Sequence, residues 1–147
     1  MPLYAHEVIE RIEDAIAALT PAETAGDNDR FVVDYGEARQ DEATTRDADR
    51  TVVVGDLTSP ARKGSSGGCE IATMTVQVSI SYGVGRDSRR RRLRDAWQVQ
   101  DAIRAVRGGD ISRCTPTPDH TLLVVDLQMV LQLWRVDLEF YTYPSGS

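Results

Sequence analysis

The chain has 147 residues, 41% hydrophobic and 27% charged, enough apolar material for one packed core, which excludes wholesale disorder. Its net charge of -6 excludes a surface built as a whole to hold nucleic acid, so any phosphate contact has to be local. The two cysteines, Cys69 and Cys114, stand far apart in no metal-ligand or redox spacing and read as reduced thiols of a cytoplasmic protein.

The opening "MPLYAHEVIERIEDAIAAL" carries acidic residues throughout and lacks the basic start and apolar block of a signal peptide. No apolar run approaches the roughly 20 residues of a membrane-spanning helix, so neither export nor insertion is expected. From Leu3 to Leu19, Val8, Ile12, Ala15, Ile16 and Leu19 recur at helical spacing, and Thr20-Pro21 ends that helix. "RFVVDYG" (Arg30 to Gly36) reads as a strand closed by glycine. Gly36 to Arg50 holds almost no side chain large enough to bury and reads as an exposed, flexible connection outside the core.

"RTVVVGDL" (Arg50 to Leu57) and "EIATMTVQVSISY" (Glu70 to Tyr82) read as strands, the second buried on its even-numbered face. Between them, Thr58 to Gly68 is rich in Gly and Ser and too long for a tight turn, which predicts a projecting flexible arm. A second helix follows, with Asp87 or Ser88 as its cap, Leu93, Ala96, Val99, Ile103 and Val106 as its buried stripe, and Gly108-Gly109 as its end. The block Thr121 to Tyr143 alternates on odd numbers through Leu133 and on even numbers from Trp134. That predicts one kinked strand or two pieces meeting near Gln132. The element order helix, strand, strand, strand, helix, strand, strand predicts a single α+β domain, a mainly antiparallel sheet with two helices packed on one face.

Catalytic, metal and cofactor chemistry finds no footing. His6 and His120 sit in no metal-ligand or base spacing and read as surface histidines. "GSSGG" lacks the Lys-Ser/Thr of a phosphate loop, and "GVGRDS" (Gly83 to Ser88) lacks the third glycine of a dinucleotide fingerprint. Asp34, Asp56, Asp126, Asp137 and Glu139 show no pairing by spacing, and alternation puts Asp137 and Glu139 on the solvent or interface face of the last strand.

The distinctive feature is the run Arg89, Arg90, Arg91 and Arg92 where the second helix begins. Positive charge there opposes the helix dipole at roughly a few tenths of a kcal/mol per residue. Four consecutive residues sweep about 300° around the axis and form a collar, not one face. No basic groove, interleaved aromatic residues or helix-turn-helix accompanies them. A solvated helix start is one reading; the one placed ahead of it is an interface, where the arginines meet carboxylates of a neighbouring subunit or an adjoining ring, with Arg62 and Lys63 of the arm and Asp137 and Glu139 of the last strand as further contacts.

The layout of amphipathic helix, strand, "RTVVVGDL", long arm, "EIATMTVQVSISYGVG", "LRDAWQVQDAIRAV" and final "LWRVDLEFYTY" resembles the tail terminator proteins of long-tailed bacteriophages and gene transfer agents. The resemblance covers nearly the whole chain and rests on element order. It implies a non-enzymatic virion protein, assembled in the host cytoplasm and located in the virion tail. In that role it forms a ring, usually a hexamer, on the tail tube, stops tube growth and joins the tail to the head connector. The implied partners are its own copies, the major tail tube protein and the connector protein, with DNA only as a passing genome and no membrane. Another neck or connector protein, or a small nucleic-acid-binding module using Arg89 to Arg92, are the alternatives.

Overall fold

The computed structural model describes residues 2–23, 30–35, 49–66 and 68–144. Helix α1 (Ala5–Ala17) starts where the Glu7 carboxylate accepts a hydrogen bond from the Tyr4 backbone N–H at 3.0 Å, satisfying one donor that the helix start would leave open. Its buried residues are Val8, Ile12, Glu13 and Ile16. The strands are β1 (Val32–Val33), β2 (Thr51–Asp56), β3 (Ala61–Ser66), β4 (Cys69–Gly83), β5 (Ile111–Val124) and β6 (Met129–Thr142), with helix α2 (Arg86–Arg104) between β4 and β5.

These strands form one sheet in the order β1-β2-β4-β6-β5, with β3 pairing β4 beside β2. Only β1 and β2 pair in parallel; every other pairing is antiparallel. The domain is α+β. Along β4 the even residues Ala72, Met74, Val76, Val78, Ile80 and Tyr82 are all buried, as their alternation predicts. The register pairs them with Phe140, Leu138, Val136, Trp134, Gln132 and Val130 of β6. Both helices contribute to the core that covers this face, through Val8, Ile12 and Ile16 of α1 and Ala96, Val99 and Ile103 of α2.

Five expectations need correction. The arm at Thr58 to Gly68 is not a projecting loop: Ala61–Ser66 pairs with β4, and Ser66 opposes Cys69 across a reversal in which Gly68 takes φ +83°. A polar strand is stable there because it lies at the sheet margin and ties its charges down, Arg62 to Glu70 and Lys63 to Glu139. Ile111 to His120 is also strand, so β5 begins ten residues before the Thr121 start of the block read from the sequence, and His120 lies within it. Pro116 and Pro118 obscured it in the sequence, yet an edge strand tolerates missing donors.

The break in the last block falls at the turn Val125–Leu127 and at Gln128 (φ 51°), not at Gln132. β6 runs through Leu133 and Trp134 in unbroken register with β4, so the two side chains lie on opposite faces of the sheet, and both are buried. The irregularity is in β5, which carries one extra residue between Pro118 and Thr121, opposite Leu133. Lastly, Leu93 does not begin the buried stripe of α2. It is 54% exposed, while Asp95 and Gln100 are buried among the apolar residues. Most of the Gly36–Arg50 connection lies outside the described residues, but its last residue, Arg50, is core rather than surface.

Candidate functional site

Helix α2 begins directly after Gly85, whose carbonyl accepts from Arg89 N at 3.0 Å; neither Asp87 nor Ser88 caps it. Its first turns lie against the segment that follows α1 and the residues that precede β2. Arg90 donates to Glu23 at 2.6 and 2.8 Å, and Arg94, one turn on, donates to the same carboxylate at 3.1 Å. The Arg90 hydrogen bond, reinforced by Arg94 against a smaller opposing effect of desolvation, holds the Glu23 carboxyl down to about 2. Arg91 donates to Asp49 at 2.8 Å and to Ser88 at 3.2 Å.

Arg90 and Arg91 therefore use carboxylates of their own chain, where the sequence pointed to those of a neighbouring subunit. Tertiary contact brings Glu23 and Asp49 to the helix start, a proximity that separations of 67 and 42 residues conceal. Arg89 and Arg92 have no carboxylate partner among the described residues.

Of the other four residues expected at an interface, Lys63, Asp137 and Glu139 meet on the helix-free face of the sheet, whereas Arg62 lies on the helix-covered face beside Ala5, Ala72 and Phe140. Glu139 accepts from Lys63 Nζ at 3.0 Å and from Ser112 Oγ at 3.2 Å, with Arg113 at 3.9 Å. The Lys63 contact, then that of Ser112, lowers the Glu139 carboxyl below the usual range despite some desolvation. Asp137 accepts from Thr75 Oγ1 at 3.1 Å, and Arg62 donates to Glu70 and to the Tyr143 carbonyl. The patch is charged but internally paired.

Sequence reasoning missed the strongest polar contact. Arg50, at φ 60°, sends its side chain into the core, where Nε and Nη2 donate to the two oxygens of Asp95 at 2.7 and 3.0 Å. Nη2 also reaches the Glu23 carbonyl at 2.6 Å, and Tyr82 Oη donates to Asp95 at 2.8 Å. Both ion-pair side chains are essentially inaccessible, at 2% and 0% exposure. Burial, then the Asp95 charge and hydrogen bond, pushes the Tyr82 phenol far above its ordinary range. Burial works against the Arg50 charge, but Asp95 outweighs it and the guanidinium is held charged. The signal was present in the sequence: Asp95, Val99 and Ile103 share one helical phase, and a carboxylate on a buried stripe requires a buried partner.

Two surface features remain. Beside α1 lies a cleft of about 360 Å³, where Ile9 and Val54 supply apolar surface and Glu10, Glu13, Asp14 and Tyr35 supply polar groups. Tyr35 Oη donates to Asp14 at 2.9 Å, which raises its phenol. At the far end of β4, Val84 N donates to the Gln128 carbonyl, and the exposed side chains of Val84, Leu122, Leu123, Val125 and Leu127 lie at this end of the sheet.

No cluster of His, Cys, Asp and Glu among the described residues could hold a metal ion. His6 and His120 are exposed and lie on different elements, and Cys114, a free thiol pushed up to about 12 by burial, donates to the Ile103 carbonyl. Among the described residues no helix is long and apolar enough to cross a membrane. No protein-family model and no curated protein matches the chain.

Proposed function

We propose that this chain is a non-enzymatic structural protein of a virion, a tail terminator that assembles as a ring on the tail tube, stops its elongation and joins the tail to the head connector. The supporting observation is the apolar end of the sheet. Val84, Leu122, Leu123, Val125 and Leu127 are exposed around the β5–β6 turn. Exposed apolar side chains gathered at one end of a sheet mark a contact with another macromolecule. Its position at one end of the sheet suits stacking on a tube or connector.

The test uses purified protein, growing tubes of the cognate major tail tube protein, and electron microscopy. The expected result is a ring at one end of each tube and arrest of growth at that end, with Val125→Asp and Leu127→Asp abolishing both while circular dichroism stays unchanged. Tubes that grow equally with and without the protein would overturn the proposal.

A further inference from the structure

Four residues of α2 lie on one line along its exposed surface. Arg86, Leu93, Trp97 and Arg104 follow at steps of seven, four and seven residues, within about 40° of one another at about 100° per residue. All four are exposed, and Trp97 is 70% accessible. A tryptophan displayed in this way, with cations at both ends of its stripe, has the composition of an interface hot spot and not of a solvated face. Arg86 has no carboxylate partner among the described residues, and Arg104 reaches only the exposed Asp101 at 3.7 Å on its own helix.

The side of α2 opposite this stripe faces the sheet, where Asp95 points toward β2 and β4, while Gln98 on the flank binds the Ala22 N–H and the Thr20 carbonyl. The stripe therefore looks away from β2 and β4. The α1 cleft is a separate surface, lined by Val54 of β2 and by Tyr35 just after β1. Here α1 presents Glu10 and Asp14 around Ile9, with His6 at the rim and Glu13 buried beneath. Tyr35 stands beside them, 53% exposed.

One patch of the molecule is thus basic with a protruding aromatic residue, and another is acidic with an aromatic wall and an apolar floor. We propose that these two surfaces bind each other between copies: the Arg86–Leu93–Trp97–Arg104 stripe of one subunit docks on the Glu10/Asp14/Tyr35 cleft of the next. Trp97 packs against Tyr35, Ile9 and Val54, and the arginines at the ends of the stripe meet the cleft carboxylates. Burying the apolar centre drives the contact, and the charges set its register.

Because the two surfaces are different patches of one subunit, the contact is head-to-tail and repeats, closing into a ring when the rotation permits. The proposal rests on the ring reading for that closure, and names the interface which that reading leaves open. Docking of a different protein on the stripe is the competing occupant.

Two variants of the full-length protein test it by sedimentation velocity at tens to hundreds of micromolar, with circular dichroism as the control for folding. Trp97→Glu blocks the stripe, and the double variant Glu10→Arg/Asp14→Arg blocks the cleft. Each alone is expected to sediment as a monomer under conditions where the native chain associates, with association weakened at least tenfold.

Mixed one to one, they are expected to form a heterodimer and nothing larger, since each retains one competent surface. A folded variant that assembles like the native chain would overturn the inference, as would a mixture that stays monomeric or a native chain that is monomeric throughout the range. Tail length in particles distinguishes this failure from that of the ring reading: a chain that still sets tail length when both variants associate normally would form its ring through other surfaces.

Discussion

Helix α2 carries two arginine-carboxylate systems a few residues apart, and they differ in almost every physical respect. Asp95, buried on the inner side of the helix, accepts from two nitrogens of Arg50 and from the Tyr82 hydroxyl in a site sealed from water. On the outer side, Arg90 and Arg94 share Glu23 with more than half of each arginine side chain in solvent. The geometry is comparable, with contacts between 2.6 and 3.1 Å in both. Burial separates them: water screens the outer pair and can replace either partner, whereas nothing replaces a partner lost from the inner one.

The comparison predicts the largest effect at Asp95. Asp95→Ala leaves the Arg50 guanidinium buried without a counter-charge, and a loss of about 3–5 kcal/mol in urea unfolding is expected. Arg50→Lys should not restore the native value, because an ammonium cannot reproduce the two parallel hydrogen bonds. A loss of less than about 1 kcal/mol for Asp95→Ala would show that the inner pair behaves as a surface pair.

Tyr82→Phe comes next. It removes one donor from a charged acceptor and keeps the ring in place, and should cost about 1.5–3 kcal/mol. A change near zero would mean that Arg50 alone satisfies Asp95.

Glu23→Gln should have a smaller effect, and its pH dependence sharpens the contrast. The Glu23 carboxyl lies at about 2 in the folded chain against 4.5 in the unfolded one. Its stabilisation is therefore complete above about 4.5 and fades as pH falls toward 2. The difference in stability between the native chain and Glu23→Gln should close over that acid interval and shrink in high salt. A difference that persisted unchanged below pH 2 would assign the effect to packing.

Trp97→Ala should be the mildest for folding, within about 0.5 kcal/mol of the native chain, because the ring is mostly in solvent. A loss of about 2 kcal/mol or more would place that ring in the fold and not at an interface.

Periodicity made most of the scaffold legible. The even-numbered apolar residues of β4 and the Val8, Ile12 and Ile16 stripe of α1 can be recognised because each has one wet and one dry face. β3 and the first half of β5 could not be recognised in this way. Their stability comes from backbone pairing at the sheet margin, and Gly64, Ser65, Pro116 and Pro118 carry no strand signal.

The arginine run was visible in the sequence but its partners were not. Glu23 and Asp49 lie far away in the chain and meet Arg90 and Arg91 only once the helices have packed. Asp95 was legible in principle through its helical phase, whereas Arg50 stands at the edge of a polar segment with nothing to mark it as core.

The measurement that bears most directly on the tail terminator reading is tail length in particles released from cells making the native chain, no chain, or Val125→Asp/Leu127→Asp. The native chain should give tails of one length joined to heads. The other two should give unjoined tails of broad and excessive length. Tails of normal length joined to heads in the absence of the chain would contradict the account.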